Sequence, residues 1–453
     1  MNRQIPLWIL LLVCFIAVNS TIAFGYLVRK ELLTPANSTL GSVGEVILTI
    51  ASYPSLVKQA LTDIKPLILV TLTGEAGDDS GSGMPQIIQN QFPRIDGFKV
   101  NQSSQPGAIQ DTGYILISTF SPARKQSIVQ LIRISDEKLI HEWAPRIVEQ
   151  LKLYDRVRYR MMHPLLTDDG GLLFHGNTTS LKKIDSCSKL VWKIEDTGFH
   201  HSNEKGSDGN YWIPAVIEPS RFAKKLTHPI PPFRDDAIAK VSPDGKLLFI
   251  KSVAEILKEN NHPIILFGIA TYNFPDWVHL NDVQPANYST EYWENGDLLL
   301  SLRDSHTVLL YRPSTNKVLW SRTGPWMNQH DADFVGDSKI AIFGNDSVRR
   351  SAVKDDLEPD KIINGHNNIY IFDFKSNEIT TPYSKIMERS DVRTYTEGLQ
   401  EILEDGDVFI EEQNRGRILR LSQTNLVWEY VFTENKNGIR MPSWSRYFTQ
   451  ADL

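Results

Sequence analysis

Cysteine is scarce in this chain. Its 453 residues include two cysteines: Cys14 lies in an apolar N-terminal segment, which leaves Cys187 alone in the remainder. One cysteine cannot form an intrachain disulfide, and a cysteine-based metal site needs several thiolates. The sequence therefore argues against a disulfide framework and excludes a metal site built from cysteines.

Clustered positive charge and the common catalytic motifs are also missing. The chain carries 48 Lys and Arg against 54 Asp and Glu, has a formal net charge of −6 and contains no long basic run. Because nucleic-acid binding depends on clustered Lys and Arg, we expect no nucleic-acid partner. The sequence contains no Gly-rich phosphate loop, serine nucleophile elbow or HExxH motif, so it must be interpreted from other features.

A long apolar run occurs at the N-terminus. Residues 5–28 read IPLWILLLVCFIAVNSTIAFGYLV, which is long enough to cross a bilayer as a helix. A cleaved signal peptide with a small-residue site at 21–23 is the alternative. We favour an uncleaved anchor because the run continues past that site. Residues 1–30 are thus predicted to be a signal-anchor or signal peptide, and the body is expected on the periplasmic or extracellular side.

A repeated pattern fills the body of the chain. A turn with Gly beside Asp or Asn comes first, apolar strands follow, and a Val-Trp or Leu-Trp pair ends the unit. Glycine and tryptophan are 22, 24 and 22 residues apart in three copies: Gly170 to Trp192, Gly296 to Trp320 and Gly406 to Trp428. Short strands in fours with such turns are typical of a β-propeller, in which the tryptophans would pack between blades. A large β-sandwich would not explain the regular spacing.

We therefore predict an all-β protein whose residues 108–453 form a six-bladed β-propeller. Residues 31–107 lack the repeated unit, and we expect them to form a membrane-proximal linker with accessory strands that cover or close the propeller. The predicted blades span about 108–146, 158–197, 198–258, 274–322, 328–380 and 392–434.

Three segments place a histidine at the start of a predicted inner strand. They are His200-His201-Ser202, Asp276–Asn281 and Gln329–Ala332. Histidines delivered from equivalent points of repeated units converge on one spot, where several imidazoles suit either an anion or a metal ion.

The strings D-W-x-H-x-N (Asp276–Asn281), S-x-R (Ser301–Arg303) and Q-H-D-A (Gln329–Ala332) resemble the bacterial arylsulfotransferase family. The His-His pair before the Asp208-Gly209-Asn210 turn does so too, and the resemblance covers about residues 160–435. It implies a six-bladed propeller that acts outside the cytoplasm. It also implies transfer of a sulfuryl group from a phenolic sulfate donor to a phenolic acceptor, without a nucleotide and with no cofactor or metal.

The resemblance assigns roles by position. His330 would be the nucleophile and form a transient sulfo-histidine. The side chains that hold the sulfate oxygens would be His201, His279, Asn281 and Arg303, together with a threonine of the last blade, Thr396 or Thr394. Ser202 stands where the family more often has Asp, so His200 is an alternative to His201. His163, at the equivalent point of the second blade, either lines the same channel or is structural.

These residue types suit the chemistry independently. A sulfuryl group in transfer spreads negative charge over three oxygens, so donors such as Arg303, Asn281 and the histidines can stabilise it. A neutral His330 has a lone pair for attack, and a neighbouring histidine could exchange the proton of the phenol. Asp331 should face away from its neighbour and tie down backbone, because side chains alternate along a strand. Aromatic residues at the channel mouth would suit a flat substrate, and the candidates are Tyr211, Trp277, Trp326 and Phe334.

Other functions remain open at this point. A non-catalytic propeller could bind a ligand or protein through the same channel, and a hydrolase would pass the sulfuryl group to water. A metal-dependent lactonase-type propeller would normally add inward Asp or Glu, whereas the inward residues implied here are His, Asn and Arg. Asn345 is prominent in the sequence only as one of several Asn-x-Ser/Thr glycosylation sequons.

Overall fold

The computed structural model describes residues 97–100, 111–121, 126–146, 161–226, 233–268, 276–347, 362–432, 434–435, 438–439 and 442–453, all within the unit Pro85–Leu453. These residues form a propeller-like fold made mostly of β-strands. None of the helices among them is long and apolar enough to cross a membrane. The apolar run at residues 5–28 and most of the predicted linker 31–107 lie outside the described residues.

Short apolar runs separated by tight turns give antiparallel strands that mostly pair with their sequence neighbours. In chain order they are β1 (Gly97–Val100), β2 (Tyr114–Ser121), β3 (Gln126–Arg133), β4 (Lys138–Trp143), β5 (Met162–Leu166), β6 (Leu172–His175), β7 (Thr179–Ile184), β8 (Leu190–Phe199), β9 (Glu204–Lys205), β10 (Tyr211–Val216), β11 (Asp236–Val241), β12 (Leu247–Ser252), β13 (Leu280–Pro285), β14 (Leu298–Leu302), β15 (Thr307–Arg312), β16 (Lys317–Thr323), β17 (Ala332–Val335), β18 (Lys339–Gly344), β19 (Asn368–Asp373), β20 (Glu378–Thr380), β21 (Leu399–Ile402), β22 (Val408–Glu412), β23 (Arg417–Leu421), β24 (Leu426–Val431), β25 (Glu434–Asn435), β26 (Gly438–Ile439) and β27 (Arg446–Phe448). The helices are α1 (Arg221–Lys224), α2 (Val253–Glu259), α3 (Pro263–Phe267) and α4 (Ser384–Arg389), with 3-10 turns at Gln413–Arg415 and Gln450–Asp452.

The strands form up-and-down sheets. Strands β13 to β16 and β17 to β20 make two four-stranded sheets in sequence order. Strands β5 to β8 continue into β10 to β12, and with β9 they make one eight-stranded sheet. That continuation depends on two residue pairs, in which Phe199 and Gly198 of β8 lie opposite Ala215 and Val216 of β10. Strand β9 pairs with β10 beside this path, and β25 and β26 form a small hairpin.

Two sheets combine strands from distant parts of the chain. The C-terminal strand β27 pairs with β2, so it becomes the first strand of the sheet β27-β2-β3-β4. At the other end, β1 pairs with β24 and extends the sheet made of β21 to β24. The four-residue strand β1 lies within the region 31–107, for which accessory strands were predicted.

Buried apolar residues join successive groups of strands. On β14, Leu298, Leu300 and Leu302 pack toward the preceding group, whereas Leu299 packs toward the following one, as the alternation of side chains along a strand requires. Of the tryptophans predicted to pack between units, Trp428 belongs to such a cluster, and Trp192 and Trp320 pack against others. The predicted structural role of these tryptophans is confirmed.

The predicted glycine turns are present. Gly170, Gly296 and Gly406 have φ angles of 75°, 93° and 83°, in the region that glycine adopts without strain. Each lies in the loop before an apolar strand, so the recurring Asp-Gly and Asn-Gly pairs reflect a backbone requirement of the turn.

Candidate active site

An unusual backbone conformation recurs at or shortly before the start of six strands, β5, β9, β13, β17, β21 and β27. A residue other than glycine there has a φ angle between 46° and 59°, which L-residues adopt rarely and which clusters at functional sites. The six residues are His163, His201, His279, Asn328, Glu397 and Trp444. Three of these six positions are held by histidines.

Several imidazoles meet at these positions. The ring of His201 lies 5.2 Å from that of His279, 6.1 Å from His163 and 6.3 Å from His330. His163 in turn stacks on Trp444 at 4.1 Å. The structure thus brings together the three predicted histidines and adds His163 beside them.

The geometry places His201 in this cluster and His200 behind it. Nδ1 of His200 lies 2.7 Å from Nδ1 of His201, and Nε2 of His200 lies 3.4 Å from Asp236. Burial lowers the pKa of His200 although the Asp236 carboxylate opposes it. Burial, followed by the neighbouring imidazoles, lowers the pKa of His201 well below its usual value. Both rings are therefore neutral at neutral pH.

His279 is oriented by the first residue of its motif. The Asp276 carboxylate accepts a hydrogen bond from the His279 backbone N–H at 3.1 Å and lies 2.8 Å from its Nδ1. Arg234 approaches the same carboxylate at 3.6 Å. Because a carboxylate accepts a hydrogen bond, Nδ1 of His279 carries a proton. Nε2 is then the nitrogen that can exchange a proton with a substrate, donating from the imidazolium form and accepting in the neutral form.

Asn281 and Arg303 contribute buried polar atoms beside the histidines. Nδ2 of Asn281 donates to the carbonyl of Gln329 at 3.1 Å, and the backbone N–H of Arg303 donates to the carbonyl of His279 at 3.0 Å. Arg303 is 1% exposed, and burial lowers its pKa. Its Nη1 donates to Asp304, whereas Nε and Nη2 have no acceptor among the described residues. A buried guanidinium with two such nitrogens suits an oxyanion.

His330 is held from both sides of its ring. Nδ1 lies 2.6 Å from Oδ1 of Asn345 and 3.2 Å from the carbonyl of Asn328. On the other side, the backbone N–H of Glu397 donates to Nε2 at 3.0 Å. His330 is 2% exposed and Asn345 is fully buried, so the imidazole has a fixed orientation.

The two candidate threonines lie in the loop that contacts His330. The Thr394 hydroxyl is used within that loop, where it donates to the Thr396 carbonyl and to Asn414. The Thr396 hydroxyl accepts a hydrogen bond from Asn414 at 3.3 Å, and Thr396 directly precedes Glu397. The structure therefore places Thr396 next to the site. Among the described residues, its hydrogen bonds go to Thr394 and Asn414 and to no histidine of the cluster.

Comparison with known protein families identifies the relationship. A family model described as Arylsulfotransferase (ASST) matches residues 163–433, which is more than half of the chain. The chain belongs to the arylsulfotransferase family. The family resemblance drawn from the histidine motifs is thereby confirmed, and it supports a sulfotransferase-type function.

Solved structures resemble this chain weakly. A protein of unknown function from Bacteroides caccae has 12% identity and a TM-score of 0.47, covering 75% of this chain and 100% of its own. A virginiamycin B lyase from Staphylococcus aureus has 13% identity and a TM-score of 0.39, covering 78% of this chain and 100% of its own. No curated protein matches the chain.

One expectation from the sequence was wrong. The histidines of the three segments are not at equivalent positions. Asn328 has the positive φ that His201 and His279 have, and His330 follows Asn328 by two residues. Asn281 lies two residues after His279, so Asn281 is the residue equivalent to His330. The difference arises from strand register, which sequence spacing alone does not show.

The sequence did not reveal Asn345 or the Glu397 N–H as partners of His330. Asn345 follows β18, 15 residues after His330, and its only recognised signal was a glycosylation sequon, which its complete burial contradicts. Asp331 behaves as predicted, since its carboxylate accepts the backbone N–H of Gln400 at 2.8 Å.

Most of the aromatic candidates have core roles. Tyr211 and Trp326 are each buried in a hydrophobic cluster. Phe334 packs against the cluster of Trp326 and against a neighbouring one. Trp277 contacts Phe233 and Phe267. Across the described residues, no group of three His, Cys, Asp or Glu side chains is arranged to hold a metal ion.

Proposed function

We propose that this arylsulfotransferase moves a sulfuryl group from a phenolic sulfate ester to another phenol through a transient sulfo-histidine on His330, without a nucleotide. The observation that carries the proposal is the fixed imidazole of His330 within one cluster that also holds His201 and His279. Family membership supports the reaction class, and a covalent intermediate divides one transfer into two displacement steps.

Anion binding in the proposed reaction rests on the buried polar atoms. Nε and Nη2 of Arg303 would donate to two oxygens of the sulfuryl group, and His201, Asn281 and Thr396 would complete its surroundings. Donors that are already in position stabilise charge in transfer without reorganisation, and their effect is strong where water is excluded. Arg303 is 1% exposed, which meets that condition.

Proton transfer is assigned to His279. Asp276 holds its Nδ1 at 2.8 Å, so an imidazolium His279 can give its Nε2 proton to the departing phenolate, and the resulting neutral ring can take a proton from the incoming phenol. This pairing of a carboxylate and an imidazole is supported by geometry that His201 lacks, since His201 contacts a second imidazole at Nδ1 instead.

We also propose that the propeller-like fold has six blades. The eight-stranded sheet would divide into two blades at the Phe199–Ala215 and Gly198–Val216 pairs. Six buried clusters support this count, because each joins two strand groups that would be neighbours in a closed ring. Residues 108–453 would form the sulfotransferase domain, and β27 and β1 would complete the first and last blades.

The proposed location is outside the cytoplasm, on the periplasmic or extracellular side. The support is the apolar run at residues 5–28, which would anchor the chain as a single N-terminal helix or be removed as a signal peptide. Residues 31–107 would then link this segment to the propeller.

The experiment mixes the full-length protein with a chromogenic aryl sulfate and a panel of phenols, in the absence of nucleotides. We expect release of the donor phenol to depend on an acceptor and to match the amount of sulfated acceptor. Release matched instead by inorganic sulfate would indicate a hydrolase. Binding of the aryl sulfate without turnover, with every acceptor tested, would indicate a non-catalytic propeller and contradict the proposal.

A further inference from the structure

We propose that Asn345 is a positioning residue that fixes His330 in the tautomer with its proton on Nδ1, so that Nε2 receives the sulfuryl group. This inference rests on the proposed function for its catalytic consequence. The hydrogen-bond network around Asn345 carries it, and neither the family motifs nor the sequence pointed to this residue.

The orientation of the Asn345 amide is determined by its surroundings. Its Nδ2 lies 2.9 Å from the carbonyl of Thr394 and 2.8 Å from the carbonyl of Glu397. Carbonyl oxygens only accept hydrogen bonds, so the NH2 group must face them and Oδ1 must face His330. A reversed amide would direct its oxygen at two other oxygens in a fully buried position.

The amide orientation then determines the tautomer of His330. Oδ1 of Asn345 and the carbonyl of Asn328 are both acceptors, so Nδ1 must be the donor and carry the proton. Nε2 therefore holds the lone pair, consistent with the hydrogen bond that it accepts from the Glu397 N–H. The three residues form a closed circuit, because Asn345 also donates to the Glu397 carbonyl.

This tautomer defines how electrons and protons move. The Nε2 lone pair forms the N–S bond while the bond from sulfur to the donor oxygen breaks, and the phenolate leaves with the bonding pair. His279 enters this step as an imidazolium, gives its Nε2 proton to the phenolate and becomes neutral. As sulfur arrives, the Glu397 N–H exchanges Nε2 for a sulfuryl oxygen. In the second step the acceptor phenol gives its proton to His279 and forms the new O–S bond. The N–S bond then breaks, and the electron pair returns to Nε2.

An amide suits both steps better than a carboxylate would. The sulfated ring keeps its Nδ1 proton and is cationic, and the Asn345 oxygen stabilises that proton by hydrogen bonding but is too weak a base to remove it. The ring can therefore leave in the second step as a neutral imidazole. A carboxylate in this place would draw the proton away and make the sulfated ring a poorer leaving group.

The test uses Asn345→Ala and Asn345→Asp, with Asn367→Ala as a matched control. Asn367 is also fully buried and also bonds the Thr394 carbonyl, and it donates to the backbone carbonyl of Asn345, but none of its side-chain hydrogen bonds among the described residues reaches the imidazole. We expect Asn345→Ala to lower kcat by about 10- to 100-fold with little change in KM, as is usual for partners that orient a reactive group. Asn345→Asp should recover activity at low pH, where a neutral carboxyl can both donate and accept, and should show a titration that the wild type lacks.

A readout independent of activity is the nitrogen-15 NMR spectrum of the full-length protein labelled at histidine, with His330 assigned by a His330→Asn variant. We expect a protonated Nδ1 and an unprotonated Nε2 in the wild type. The inference fails if the wild type shows the opposite tautomer, if Asn345→Ala retains kcat within about twofold, or if Asn367→Ala loses as much activity as Asn345→Ala. A wild type that transfers no sulfuryl group but shows the expected tautomer contradicts the proposed function and leaves the orientation of His330 supported.

Discussion

Two neighbouring strand groups use the same backbone positions for different chemistry. In the group β13–β16, the two polar positions nearest the cluster hold Asn281 and Arg303. In the group β17–β20, the equivalent positions hold His330 and Asn345. The equivalence follows from register, because Asp282 lies opposite Ser301 in the first group, and Asp331 and Phe343 are hydrogen-bonded in the second.

The two pairs differ in how many of their polar side-chain atoms form hydrogen bonds within the protein. Arg303 has two buried nitrogens with no acceptor among the described residues, whereas Asn345 uses both of its amide atoms within the protein. Under the proposed function, the first arrangement would receive an anion and the second would hold a reactive ring still. A repeated fold can therefore assign binding to one unit and reaction to the next by changing two side chains.

Removing the proposed nucleophile should have the largest effect on sulfuryl transfer. His330→Ala eliminates the proposed nucleophile, and we expect transfer to fall by roughly 10³-fold or more because no other group can form the intermediate. The control is His366→Ala, which also removes a largely buried imidazole but leaves the cluster intact. Steady-state transfer with a chromogenic donor measures both, and comparable losses in the two variants would contradict the role of His330.

Changing the binding member should have the next largest effect. Arg303→Lys keeps the positive charge but loses the planar donors, and we expect kcat/KM to fall by about 10²-fold. Arg312→Lys makes the same change at an arginine that pairs with Asp297, away from the histidines. If kcat/KM of Arg303→Lys stays within about twofold of the wild type, the guanidinium does not hold the sulfuryl group.

The neutral histidines predict a smaller, pH-dependent effect on donor binding. Burial lowers the pKa of His201, and a bound sulfate ester opposes that effect, so donor binding should take up a proton. As pH rises between the pKa values of the free and bound forms, the affinity for the donor should then fall by up to about tenfold per pH unit. Calorimetry of an aryl sulfate with the His330→Ala variant, from about pH 5 to about pH 8, measures this. An affinity that does not change with pH would contradict it.

The smallest expected effect concerns Asp282 and Asp331, which follow Asn281 and His330. Burial raises the pKa of Asp282 to about 8. Burial, followed by the charge of Asp282, also raises the pKa of Asp331 well above its usual value. The folded protein thus binds more protons than the unfolded chain, and stability must fall as pH rises from about 4 to about 8. Asp282→Asn can still accept the Ala332 N–H but does not ionise, so its Tm should depend less on pH. Equal slopes of Tm against pH in both proteins would be the contrary result.

Local patterns predicted much of the fold, and long-range pairing explains what they missed. Glycine turns and late tryptophans recur at regular spacing because each unit needs a left-handed turn and an apolar contact. The pairings of β27 with β2 and of β1 with β24 join segments more than 300 residues apart, for which the sequence has no local signal.

The site shows the same division. Motifs identified His201, His279, Asn281, Arg303 and His330, and the structure brings these residues together. The partners of His330 could not be predicted. One is the buried amide of Asn345, which directly follows β18, and the other is the backbone N–H of Glu397. The two-residue offset of His330 from Asn328 depends on register in the same way.

The most direct test of the account is to trap the intermediate. The full-length protein would be mixed with an aryl sulfate in the absence of an acceptor, quenched rapidly, digested and examined by mass spectrometry. We predict one sulfuryl group on His330, lost when a phenol is added before the quench. Transfer to phenols with no sulfated histidine, or with the group on another residue, would contradict the central claim.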